Sequence, residues 1–133
     1  MSLSIFAAVG AGGAIGAMAR YGVAQFVGAG LFGMAGPLAT LVVNVTGSAV
    51  MGGLAAVLAA GLPLPETWRG FIAVGFLGAL TTFSSFALDT GQLAARQGAA
   101  MAGLYIGLSV VLSLAAFFAV QALVGALLGR IPA

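Results

Sequence analysis

The chain of 133 residues has only six charged side chains, four arginines and two acids, separated by long apolar stretches. Charged residues make up 5% of the chain, whereas a soluble domain carries roughly 25%. Too few charges are present to cover a surface that faces water, so the sequence indicates an integral membrane protein. Since a spanning helix needs about 20 apolar residues, we predict one all-α domain with four membrane spans, at about residues 3–27, 38–60, 70–90 and 99–128.

The missing residue types exclude several functions. The chain has no Cys and no His, which removes disulfides, thiolate chemistry and the commonest general base and metal ligand. Four arginines form no basic patch, so we expect no nucleic-acid partner. Ser84 and Ser85 have no base beside them, and we expect Asp89 to be a solvated helix end where the third span meets the membrane interface. Without an activated nucleophile or an acid pair, we predict that the protein is not an enzyme.

The third apolar stretch is interrupted near its middle by glycines and hydroxyl residues, in the sequence VGFLGALTTFSSF at positions 74–86. Gly75 and Gly78, followed by a Thr/Ser cluster, favour a break over a uniform helix. Irregular backbone at membrane depth is tolerated only where it is buried in protein or lines a cavity. We therefore predict that the third helix is broken and holds a polar or charged ligand. The carbonyl groups freed around Gly78 and Thr81 suit a cation such as Na⁺.

Polar side chains recur at every fourth position in two other spans, a spacing that places them on one face of a helix. Amides, hydroxyls and phenols are neutral donors that can replace the water around a small anion without trapping it, as conduction requires. Hydrogen bonding between helices is the alternative explanation. The two stripes are Thr40, Asn44 and Ser48 in the second span, and Tyr105, Ser109 and Ser113 in the fourth.

The first span combines small residues with an arginine near its end. Gly12 and Gly16 are separated by about one helical turn, which favours close packing of helices in lipid. Arg20 either extends to the membrane surface or lies in a water-filled vestibule that attracts anions. The residue type alone leaves both positions open.

The arginines also bear on orientation in the membrane. With four spans, Arg69 and Arg130 share one side of the membrane, while Arg20 and Arg96 lie on the other. Orientation normally follows an excess of Lys and Arg in the cytoplasmic loops, and here the two sides are equal. We predict that the chain inserts in both orientations and forms an antiparallel homodimer.

Together these motifs resemble the small dual-topology fluoride channels, also called CrcB proteins. The resemblance covers most of the chain, and its most specific part is Gly-x-x-Gly-x-x-Thr-Thr-Phe-Ser-x-Phe at positions 75–86. Ala79 and Ser85 stand where many relatives carry Gly and Thr, and both departures are conservative. The other matching segments are Gly12–Gly16 with Arg20 and Tyr21, Thr40–Gly47, and Tyr105–Gly107.

The resemblance implies an antiparallel homodimer with two narrow pores in the bacterial inner (plasma) membrane, through which fluoride leaves the cytoplasm passively. It implies that Asn44 faces the fluoride path and that Phe83 and Phe86 present ring edges to the ion. It also implies a structural Na⁺ at the dimer centre, bound by backbone carbonyls of Gly78 and Thr81 from both subunits. The remaining residues implied along the path are Thr82, Ser85, Tyr105, Ser109 and Ser113, with Arg20 at a vestibule.

Two other functions stay open on the sequence. A small multidrug exporter also has four spans, but it depends on a membrane-embedded Glu in the first span, and the first span here has none. A structural or accessory membrane subunit would account for the small residues of the first span. It would not account for the polar stripes of the second and fourth spans.

Overall fold

Helices make up the regular structure of residues 2–28 and 35–129, which are the residues that the computed structural model describes. Arg130 lies outside these residues, so its predicted side of the membrane is not addressed. In chain order the elements are α1 (Leu3–Gly28), α2 (Ala35–Ala59), α3 (Glu66–Arg69), a π-helical segment (Gly70–Leu77), α4 (Gly78–Leu80), α5 (Phe83–Gln97) and α6 (Ala99–Leu128).

Within the described part of the chain, four helical segments are long and apolar enough to cross a membrane, which agrees with the four predicted spans. The chain is therefore a multi-pass membrane protein. The third segment begins before residue 70 and continues past residue 90, because α3 precedes the π-helical segment and α5 extends to Gln97. The four segments are Leu3–Val27, Gly36–Ala59, Glu66–Gln97 and Ala99–Leu128.

The third span is broken at Thr81 and Thr82, as predicted. Their backbone dihedral angles are φ −83°, ψ 153° and φ −154°, ψ 119°, which are extended rather than helical. β-branched side chains such as threonine favour extended backbone over helix. The π-helical segment that leads into the break is not indicated by the sequence pattern. In a π-helix each backbone N–H donates to the carbonyl five residues earlier, whereas in an α-helix it donates to the carbonyl four residues earlier.

Glycines set the contact between α1 and the π-helical segment, which confirms the close packing expected from the first span. A Cβ atom at Gly12 would overlap the carbonyl oxygen of Phe71, and one at Gly16 would overlap that of Phe76. From the other side, a Cβ at Gly75 would lie 2.6 Å from a carbonyl oxygen of α1. The two backbones therefore touch without intervening side chains, and this contact holds the segment that leads into the break.

The helix α2 lies against the break and packs extensively against α6. Gly47 allows this approach, because a Cβ there would overlap the methyl group of Thr81. Val43, Leu77 and Leu80 form a buried apolar cluster that joins α2 to the segment before the break. The break is thus enclosed by α2 on one side, while Phe83 remains 81% exposed on the other.

Candidate functional site

The side-chain amide of Asn44 bridges the backbone of the break from α2. Its Oδ1 accepts a hydrogen bond of 2.8 Å from the Thr82 N–H, and its Nδ2 donates one of 3.2 Å to the Thr82 carbonyl. Both polar backbone groups of Thr82 are therefore satisfied although the helix is interrupted there. A primary amide has two N–H donors, so Asn44 keeps one donor for a further acceptor.

The hydroxyl groups that follow the break cap the start of α5. Thr82 is the N-cap residue, and its Oγ1 accepts a hydrogen bond of 3.1 Å from the Ser85 N–H. The same oxygen lies 3.1 Å from Ser84 Oγ and donates to Ser85 Oγ over 3.2 Å. Such a cap satisfies a backbone donor that the first turn of a helix leaves free. The cap therefore fixes Thr82 and Ser85 beside each other.

A cavity of about 470 Å³, here called the groove, opens at the break between α2, α5 and α6. Most of the residues predicted to lie along an ion path or at a cation site are found in its wall. The wall combines neutral donors, backbone of the break and aromatic rings. The predicted residues in it are Asn44, Ser48, Gly78, Thr81, Thr82, Phe83, Phe86, Ser109 and Ser113.

Three phenylalanines, Phe83, Phe86 and Phe117, line the groove. The rings of the first two form a row that a tyrosine ring continues into the protein. The ring centroids of Phe83 and Phe86 are 5.4 Å apart with an interplanar angle of 47°. Those of Phe86 and Tyr105 are also 5.4 Å apart, with an angle of 36°. Phe83 is 81% exposed, whereas Tyr105 is 6% exposed and lies behind the groove wall. The row therefore runs from the open surface of the chain to its interior.

Ser109 brings an unused polar atom to the groove. It is 5% exposed, and among the described residues its Oγ has no hydrogen-bond partner. A buried hydroxyl without a partner costs about 1–3 kcal/mol, so a ligand that bonds to it would recover part of this free energy. Ser113, one turn further along α6, lies in the same wall. The predicted α6 stripe thus contributes Ser109 and Ser113 to the groove, but not Tyr105.

A second cavity, of about 360 Å³, lies between α1, α2 and α5. Its wall contains both Arg20 and Asp89, together with Thr40 and Ser85. Thr82 lies in the walls of both cavities and therefore at the boundary between them. The structure thus places Arg20 and Ser85 beside the groove rather than within it.

The expectation that Asp89 is a solvated helix end is wrong. Asp89 is 7% exposed, and its Oδ2 accepts a hydrogen bond of 2.6 Å from Thr40 Oγ1 and a long one of 3.5 Å from the Tyr105 hydroxyl. The physical reason is that α5 continues to Gln97, which leaves Asp89 in the interior of a helix that packs against α2 and α6. A buried carboxylate requires such hydrogen-bond donors.

The spacing of Asp89 contained a signal for its position. It follows Ser85 by four residues and Phe86 by three, and residues at these separations share one face of a helix. Asp89 therefore belongs with two residues that the sequence already assigned to an ion path. The predicted end of the third span, at about residue 90, instead places it at the membrane interface.

The fold and the groove define a class of protein, a four-span membrane protein with a polar site at a broken helix. A family model described as CrcB-like protein, Camphor Resistance (CrcB), matches residues 7–126. The chain belongs to this family.

Curated relatives match over most of their own length. The fluoride-specific ion channel FluC of Vibrio parahaemolyticus is 47% identical over 113 residues, which cover 85% of this chain and 88% of the relative. The protein of the same name from Rhodospirillum centenum is 45% identical over 126 residues, which cover 92% of this chain and 96% of the relative.

Proposed function

We propose that the protein is a fluoride-selective channel through which fluoride leaves the cytoplasm passively. The two relatives described above are named fluoride-specific ion channels, and ion channels are not enzymes. The observation in this chain that carries the proposal is the groove at the break, whose polar groups are neutral donors rather than charges.

Neutral donors suit an anion that has to move. The remaining Nδ2 hydrogen of Asn44 and the hydroxyl of Ser109 can replace water around the ion, and the ring edge of Phe83 carries partial positive charge. A conducting site must bind an ion strongly enough to admit it and weakly enough to release it. A fixed positive charge in the groove would hold a small halide too tightly. Arg20 instead lies in the wall of the second cavity.

Fluoride would reach the groove through the second cavity. Arg20 would raise the local concentration of anions there, and Thr82 and Ser85 supply hydroxyls at the boundary with the groove. Asp89 also lines this cavity, where its Oδ2 accepts the hydrogen bonds from Thr40 and the Tyr105 hydroxyl. These bonds hold the carboxylate against α2 and α6, outside the groove wall.

A second copy of the chain would complete the groove. The extended backbone of Thr81 and Thr82 lies inside a membrane span, where irregular backbone has to be covered by protein or line a cavity. In the single chain, however, Phe83 is 81% exposed and Gly78 is also exposed. Equal numbers of arginines on the two sides permit insertion both ways. We therefore place the covering copy antiparallel, which gives a homodimer with two symmetry-related pores.

A sodium ion would be a structural cofactor at the centre of this dimer. The residues present fit it, because the Thr82 N–H bonds to Asn44 and leaves the Gly78 carbonyl, four residues earlier, without that helical partner. The carbonyls of Gly78 and Thr81 are hard oxygen ligands of the kind such a cation prefers. Each subunit would supply two of them. When bound, the ion would supply a fixed positive charge that ties the two broken helices together.

Efflux from liposomes tests the proposed function. The purified chain is reconstituted into vesicles loaded with fluoride or, as the control, with chloride, and the external ion is followed with selective electrodes. We expect fluoride release without chloride release. Equal release of the two ions would contradict selectivity, and release of neither would favour the accessory membrane subunit that the sequence left open.

The antiparallel dimer has a separate test. Reporter tags fused to the C-terminus should be found on both sides of the membrane in similar amounts. Exclusive detection on one side would rule out dual topology and, with it, the antiparallel arrangement.

A further inference from the structure

We propose that Asn44 is a positioning residue that keeps the third span broken at Thr82 and so leaves the Gly78 carbonyl free to bind a cation. The two hydrogen bonds from the Asn44 amide to the backbone of Thr82 are here called the clamp, and they are seen in the geometry of the chain itself. Its consequence for the cation rests on the proposed function described above.

The hydrogen-bond register at the break carries the proposal. In an uninterrupted α-helix the N–H of residue 82 donates to the carbonyl of residue 78. Here the N–H of residue 81 still makes the corresponding bond, of 3.0 Å to the Leu77 carbonyl. At the next residue the pattern stops, because the Thr82 N–H donates over 2.8 Å to Asn44 Oδ1. The helix therefore ends where a side chain from α2 replaces the Gly78 carbonyl as acceptor.

Local capping does not supply this acceptor. The Oγ1 of Thr82 bonds to the Ser85 N–H and to neighbouring hydroxyls, so it stabilises the start of α5. This hydroxyl provides no acceptor for the N–H of Thr82 itself, which bonds to Asn44 instead. A buried N–H without a partner is unfavourable, most of all in a membrane. If Asn44 lost its acceptor, the Thr82 N–H would have the Gly78 carbonyl as its nearest alternative along the chain, and the helix would close over the break.

The position of α2 makes the clamp possible. Gly47 lies three residues after Asn44, and a Cβ there would overlap the methyl group of Thr81. The absence of that Cβ lets α2 approach closely enough for a short amide side chain to reach the backbone of Thr82. Asn44 also lines the groove, and its amide has one N–H left. The same amide can therefore clamp the break and bind an anion, which couples the anion path to the cation site.

Three variants separate the clamp from a role in binding the ion alone. Asn44→Leu keeps much of the side-chain volume but removes the acceptor and both donors. Asn44→Asp keeps an oxygen that can accept from the Thr82 N–H and adds a negative charge to the groove. Thr46→Val is the matched control, since Thr46 lies two residues along the same helix and, within residues 2–28 and 35–129, its hydroxyl bonds only to the carbonyls of Val42 and Val43.

The backbone conformation at the break is measured by solid-state NMR of the reconstituted full chain, in which only threonine is labelled with ¹³C and ¹⁵N. Thr81 and Thr82 are the only consecutive threonines in the sequence, so one sequential correlation identifies them. We expect ¹³Cα shifts of extended backbone in the wild type, in Thr46→Val and in Asn44→Asp. In Asn44→Leu the signals of Thr81 and Thr82 should move downfield toward helical values.

Extended shifts in Asn44→Leu would overturn the proposal, as would helical shifts in Asn44→Asp. If Asn44→Leu does not fold, Asn44→Ala takes its place with the same expectation. A role for Asn44 limited to binding fluoride would lower flux in both Leu and Asp variants but would leave the Thr81–Thr82 shifts of both unchanged.

Binding of the cation is tested separately, by comparing the melting temperature of the dimer in Na⁺ with that in an organic cation at equal ionic strength. We expect Na⁺ to raise the melting temperature of the wild type, Thr46→Val and Asn44→Asp, and to have no effect on Asn44→Leu. A wild type that does not respond to Na⁺ would remove the cation from the proposed function, while the threonine shifts would still decide on the clamp. An Asn44→Leu variant that has helical shifts and a full response to Na⁺ would contradict the assignment of the Gly78 carbonyl.

Discussion

The two cavities that meet at Thr82 differ in how they use charge. The second cavity contains the guanidinium of Arg20 and the carboxylate of Asp89. The groove contains an amide, hydroxyls, backbone of the break and three phenylalanines, and none of the described residues in its wall is charged. The positive charge of Arg20 would attract anions locally, whereas the neutral donors of the groove can bind an anion weakly enough to release it. In the proposed channel, anions would enter through the second cavity and be conducted through the groove, with Thr82 at the boundary between them.

The largest effect on fluoride efflux is expected when a charge is introduced into the groove. Asn44→Asp would place a carboxylate beside a passing anion, and two like charges about 4 Å apart repel by about 4 kcal/mol at an effective dielectric constant of 20. We expect fluoride efflux from liposomes to fall by about a thousandfold. The matched variant Thr46→Val should retain wild-type efflux. Unchanged efflux in Asn44→Asp would remove Asn44 from the path.

Removing a neutral donor from the groove should have a smaller effect. Ser109→Ala deletes the buried hydroxyl that has no partner among the described residues. A neutral hydrogen bond contributes about 0.5–1.5 kcal/mol, so we expect efflux to fall by up to about tenfold. The melting temperature should stay equal or rise, because an unsatisfied hydroxyl is removed. A lower melting temperature with normal efflux would show that Ser109 stabilises the fold instead of binding the ion.

The aromatic rings should contribute a similar or slightly smaller amount. Phe83→Leu keeps an apolar side chain but removes the ring edge, an interaction of the order of 1 kcal/mol. We expect efflux to fall by about fivefold. Phe6→Leu, the same substitution at another exposed phenylalanine, on α1, should have no effect. Equal efflux in the two variants would mean that the ring of Phe83 serves only to fill space.

The smallest effect is expected in the second cavity. Arg20→Gln removes the positive charge that would collect anions, an effect that salt screens over about 10 Å at 0.1 M. We expect efflux to fall by a factor of a few at low ionic strength and to approach the wild-type value at high ionic strength. A salt-independent loss of efflux would place Arg20 in direct contact with the ion instead.

Residue patterns could predict the four spans, the break and most of the groove, because hydropathy and helical spacing are properties of single segments. Gly78 and the two threonines marked the break, and Asn44, Ser109 and Ser113 fell on polar stripes. The same patterns could not predict that the polar stripe of α2 is divided between the two cavities. Thr40 and Asn44 share a face of α2, yet Thr40 bonds to Asp89 while Asn44 bonds to Thr82.

The features that the sequence did not reveal depend on contacts between helices. The π-helical segment is stabilised where Gly12 and Gly16 let α1 touch its backbone, and no local propensity favours such a segment. The burial of Asp89 also depends on contacts between helices. A carboxylate near the expected end of a span is normally solvated, and only the packing of α5 against α2 and α6 gives it buried partners.

The most direct test of the central claim, that neutral donors in the groove select a small halide, is the reversal potential of the reconstituted channel in a planar bilayer. Fluoride is present at unequal concentrations on the two sides, and chloride makes the total halide concentration equal. We predict a reversal potential set by the fluoride gradient alone, and the same result when chloride is varied. A reversal potential near zero under these conditions would show that the groove passes both halides, and would contradict the account.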